Sequence, residues 1–234
     1  MSAATQNADG QVVTFTERFV QVEGMRIRYL EAGQGNPVVV LHGEGGLTWS
    51  PLNSLLASQF RVIALEIPDF GHSPAKARPQ PLRDLARTPA EAVAALGLEH
   101  YGLVSTAASA SLALWQAIDL PQRVDALVLI SPIAFLPDGW TAPSGYVRDP
   151  ELERRLGDVK VATLVLLGTK DNVLPAETGR LYVEQLPNCY YALVYDAGHV
   201  IEAERPEALF AAVRDFLEQR ETFVVSRKNT IINP

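Results

Sequence analysis

Short runs of unbroken apolar residues constrain this chain most. Pro37-Val38-Val39-Val40-Leu41 shows no alternation with polar residues. Runs of the same kind recur at Val62–Leu65, Tyr101–Val104, Ala126–Ile130, Thr163–Leu167 and Ala192–Val194. A strand with one face in water alternates, so a continuous run needs cover on both faces. Helix-like segments lie between the runs. Thr88-Pro89-Ala90-Glu91 reads as a capping box with Pro at the first helical position, and Gly97 closes that helix. Pro206 to Gln219 stacks Leu209, Val213, Phe216 and Leu217 on one face. Strands alternating with helices predict an α/β chain: a mostly parallel twisted sheet with helices on both faces. One exception precedes them. Val20 to Tyr29 alternates on both sides of Glu23-Gly24, the signature of an antiparallel hairpin.

A length of 234 residues fits one domain with a sizeable core. The expected division is an N-terminal segment over 1–18, a domain over 19–220 and a C-terminal tail over 221–234. The net charge of −7 argues against nucleic acid or an anionic membrane surface as partner. The single Cys189 allows no internal disulfide, and the sequence carries no zinc motif and calls for no cofactor. The opening residues lack an apolar signal core, and no run approaches the ~20 apolar residues of a membrane helix. A cytoplasmic protein is the expectation.

Tyr101–Val104 leads through Ser105-Thr106-Ala107-Ala108-Ser109 into an Ala-rich segment carrying Leu112, Leu114, Trp115 and Ile118. A strand that becomes a helix through several small residues must turn where bulk cannot fit. This resembles the nucleophile elbow of the α/β-hydrolase superfamily, with a small-x-nucleophile-x-small pattern. Ser105 and Ser109 fill the small slots, and Ala107 stands where the nucleophile belongs. A nucleophile at Ser105 would lie inside the strand end; one at Ser109 would come half a helical turn late. His42-Gly43-Glu44-Gly45-Gly46 resembles the family's oxyanion loop, which implies backbone N–H donors at Glu44 and Ala108. The Glu44 side chain could face solvent, or could supply an acid or base. A phosphate-binding loop is the rival reading, but the ending and glycine spacing it needs are missing. Asp69-Phe70-Gly71-His72-Ser73 resembles a family turn shortened by one residue, with a structural role for His72. Gly168-Thr169-Lys170-Asp171 and Asp196-Ala197-Gly198-His199 resemble the stretches that carry the family's acid and histidine. Their order after the elbow is that of the superfamily. Alone, Asp171 could cap a turn and His199 could be a satisfied core histidine; together they imply a mutual hydrogen bond. Cys189 precedes the last run and offers no substitute nucleophile.

The resemblance implies an α/β-hydrolase fold spanning roughly Phe19 to Gln219. The degenerate triad position implies a small-molecule-binding or regulatory protein without conventional ester or amide hydrolysis. Two alternatives stand beside it. One is an enzyme using the His199–Asp171 pair as general base; the other is a serine hydrolase with an engineered Ser→Ala change at 107. The family inserts a helical lid in the region of 133–160, and here that stretch supports one short helix from about Asp149 to Leu156. A reduced or absent lid is expected. Thr222–Val225 and Thr230–Ile232 are β-prone, so the tail should pack on its own domain or on a second copy in a homo-oligomer.

Overall fold

A computed structural model describes residues 2–6, 12–68, 73, 80–137, 139–141, 143, 146–220 and 230–232. Its strands are β1 (Ser2–Gln6), β2 (Val12–Val22), β3 (Met25–Ala32), β4 (Pro37–Leu41), β5 (Arg61–Leu65), β6 (Tyr101–Thr106), β7 (Val124–Ile130), β8 (Thr163–Gly168), β9 (Cys189–Val194) and β10 (Thr230–Ile232). They form one sheet in the order β1-β2-β3-β5-β4-β6-β7-β8-β9-β10. The pairs from β1 to β5 through β3 are antiparallel, and all others are parallel. The hairpin forms where the alternation placed it. Val22 pairs with Met25, and Glu23 and Gly24 both take positive φ (48° and 79°), as a two-residue hairpin turn requires.

The helices are α1 (Pro51–Leu56), α2 (Leu82–Ala95), α3 (Ala110–Asp119), α4 (Pro150–Arg155), α5 (Glu177–Gln185), α6 (Ile201–Glu204) and α7 (Pro206–Gln219). The apolar strands divide their side chains between two cores. On β4, Val39 and Leu41 join the core holding Trp115 and Leu114 of α3, while Val38 and Val40 join the core holding Leu52 of α1 and Val213 of α7. Both faces are covered, which is why these strands carry no polar alternation.

One helix differs from the sequence reading. α2 begins at Leu82, so Pro89 lies inside it and Thr88 is not a cap. The Thr88 hydroxyl is buried without a partner. Pro89 cannot donate to the carbonyl four residues earlier, a cost set against burial of Ala86, Ala90 and Val93. The predicted stop is present. Gly97 has φ 75°, and the bonds Gly97 N–H to Ala94 O (2.9 Å) and Leu98 N–H to Val93 O (3.3 Å) make a Schellman end.

Between 133 and 160 the described residues form α4 and one 3-10 turn, Leu156–Asp158. Asp149 caps α4 by accepting from the N–H groups of Glu151 and Leu152, and its other oxygen accepts from the Trp115 indole at 2.8 Å. The short segment is thereby tied to α3, and α4 is the one α-helix among the described residues of 133–160. At the chain's end, β10 pairs in parallel with Ala192–Val194 of β9. The β-prone stretch Thr222–Val225 and the turn residues Asp69 to His72 lie outside the described residues.

Candidate active site

The end of β6 fixes the site. Ala107 has φ 50°, a left-handed conformation costing an L-residue roughly 1–2 kcal/mol. The chain holds alanine there although glycine would relieve the strain. Ser105 and Ser109 sit beneath this turn, at 0% and 4% exposure. Their hydroxyls bond each other at 2.8 Å, and Ser109 Oγ also lies in donor range of Thr106 O and Leu41 O. Neither hydroxyl is presented for chemistry. The backbone at Gly43 comes so near the turn that a Cβ there would lie 3.3 Å from the Ala107 methyl.

His42 anchors that glycine loop. Its Nε2 accepts the Ile67 N–H (3.0 Å), so the proton sits on Nδ1, which donates to Gly43 O (2.7 Å). Burial, the largest influence, keeps its pKa below the ordinary 6.5, and it stays neutral. Glu44 is exposed at the cavity mouth.

His199 and Asp171 meet as expected. His199 Nδ1 donates to Asp171 Oδ2 at 2.9 Å, leaving Nε2 as the other ring nitrogen. Asp171 Oδ1 accepts from the N–H groups of Val173 (2.8 Å) and Leu174 (2.9 Å), and its side chain is 1% exposed. Burial disfavours the imidazolium. The Asp171 hydrogen bond and charge, with Glu44 and Glu202, outweigh it, so the pKa lies above 6.5. Gly168 brings the two loops together. A Cβ on it would lie 2.2 Å from Ala197 O and 2.3 Å from Gly198 O. Ala107, Glu44, Gly43, Ser131 and His199 all line one cavity of about 280 Å³, and no described residue of 133–160 lines it.

Known proteins share this fold. The profile of the α/β-hydrolase fold matches residues 36–150. Protein ABHD14A of Rattus norvegicus is 30% identical, over 77% of this chain and 71% of its own. The chain belongs to the α/β-hydrolase fold family. The 2-hydroxy-6-oxo-6-(2'-aminophenyl)hexa-2,4-dienoic acid hydrolase of Metapseudomonas resinovorans is 25% identical, over 94% of this chain and 97% of its own. Among solved structures, a serine hydrolase involved in carbazole degradation, the CarC enzyme, superposes with a TM-score of 0.76 at 25% identity, covering 88% of this chain and 100% of that one.

Within this hydrolase fold, three residues not singled out from the sequence shape the site. Ser131, itself at φ 44°, donates its hydroxyl to His199 O at 2.8 Å. Glu204 accepts from the N–H groups on either side of the histidine, Gly198 at 2.7 Å and Val200 at 3.3 Å. Glu202 lines the cavity beside His199. Its position three residues after His199 could have been noted, but only the short α6 turns it back toward the site. Among the described residues no three His, Cys, Asp or Glu side chains could hold a metal, and no helix is long and apolar enough to cross a membrane.

Proposed function

We propose that this protein binds a small molecule in the elbow cavity and forms no covalent acyl-enzyme there. One observation carries the reading: the methyl-bearing Ala107 holds the strained φ of 50° beside the cavity that His199 also lines. In this reading Ala107 occupies the nucleophile position, Asp171 and His199 complete a degenerate triad, and the N–H groups of Glu44 and Ala108 are the oxyanion donors. A methyl cannot attack a carbonyl, and loss of the serine in a protease triad costs about 2 × 10⁶ in kcat. The dienoic acid in the name of the Metapseudomonas relative would bring a carboxylate toward Glu44 and Glu202. No Lys or Arg lies among the described lining residues to receive it. The expected outcome with p-nitrophenyl acetate is no burst of p-nitrophenol at any enzyme concentration. A burst stoichiometric with protein would refute the reading.

The His199–Asp171 bond supports a second reading, in which His199 Nε2 acts as general base on a bound substrate or water. Because the His199 pKa is raised, such turnover would rise with pH as the imidazolium loses its proton. Turnover that disappears in His199→Ala would favour it.

A further inference from the structure

The cavity beside the elbow carries two carboxylates and two histidines, with no Lys or Arg among its described lining residues. Glu44 at its mouth and Glu202 in its wall are carboxylates, and both reach His199 electrostatically. Glu202 is half-buried, and burial, the largest influence, raises its carboxyl above the ordinary 4.5. Its own N–H and His199 oppose the rise, and Glu204 adds to it. A cation seated beside it would reverse that cost. A separate observation lies in the same wall. Asn53 is 2% exposed, lines the cavity, and has an Oδ1 with no hydrogen-bond partner. A buried acceptor left unpaired costs about 1–3 kcal/mol in general, which a donor group entering the site would recover. Two carboxylates, an unpaired carbonyl oxygen and no described Lys or Arg in the lining all ask for N–H donors and positive charge.

We propose that this wall, formed by Glu44, Glu202 and Asn53, receives the ammonium group of a small primary amine. The proposal rests on the reading of the cavity as a ligand site and names its ligand class. An ammonium offers three N–H donors on one compact charge, and the acceptors lining this cavity come from separate stretches of the chain.

Isothermal titration with n-butylammonium chloride, sodium butyrate and 1-butanol tests it, since the three differ in headgroup on one chain. Butylammonium should bind saturably at millimolar concentration and butyrate should not. Glu202→Gln should weaken butylammonium by about tenfold or more, the effect of losing a charged hydrogen-bond partner, with melting temperature retained to show a folded variant. Adding Asn53→Ala to that variant should weaken it further. Butyrate or butanol binding as tightly as the amine would overturn the ammonium assignment while leaving the cavity a ligand site. Unchanged affinity in Glu202→Gln would overturn it too. Binding of none of the three would refute the cavity reading and this inference together.

Discussion

His199 is the residue through which most of the local charge acts. Its protonated form is favoured in the fold, so its pKa lies above the 6.5 of an unfolded chain. That contribution to stability is complete below pH 6.5 and is lost as pH rises through the folded value. Asp171→Asn removes the charge and the acceptor together. The His199 proton resonances, followed by NMR titration, should then move to a lower pKa, and the fall of stability with pH above 6.5 should flatten. An unmoved titration would mean that Asp171 does not govern the imidazole. At this scale the meeting of Asp171 with His199, and the turn at Ala107 beside them, were legible because each follows the end of one strand. Glu202 and Ser131 were not, because their place depends on how a four-residue helix and a φ of 44° aim them, which no local pattern encodes.

Elements were legible in proportion to how much of their pattern is local. β4 and α7 follow from runs of apolar residues and a heptad-like face, and both have the expected limits. The start of α2 was missed because Thr88-Pro89-Ala90-Glu91 imitates a cap, while packing of Ala86 and Ala90 extends the helix back to Leu82. β8 carries a demand that its apolar run does not announce. Its last residue, Gly168, abuts the carbonyls of Ala197 and Gly198, so any side chain forces the Asp171 and His199 loops apart. Gly168→Ala should destabilise the protein by about 1–3 kcal/mol, an overpacking cost read from denaturant midpoints. A neutral result would show that the two loops can separate freely.

The whole molecule sets terminal strands at both sheet edges, β1 at one and β10 at the other. β10 covers β9, and the Tyr195 N–H continues the pairing to Ile232 O at 3.0 Å. An uncovered edge is a template for association. Truncation after Arg220 should lower the melting temperature and produce concentration-dependent association in sedimentation; neither change would mean that β10 protects nothing. Around the site, no described residue of 133–160 lines the cavity. The proposed function treats Ala107 as a nucleophile position that lacks only a hydroxyl. Ala107→Ser supplies it, and labelling by a fluorophosphonate, read as a mass increase on the intact protein, reports whether it is activated. The expected result is no labelling of the unmodified protein, stoichiometric labelling of Ala107→Ser, and none when His199→Ala is added to that variant. Labelling of the unmodified protein at Ser105 or Ser109, or an inert Ala107→Ser, would contradict it.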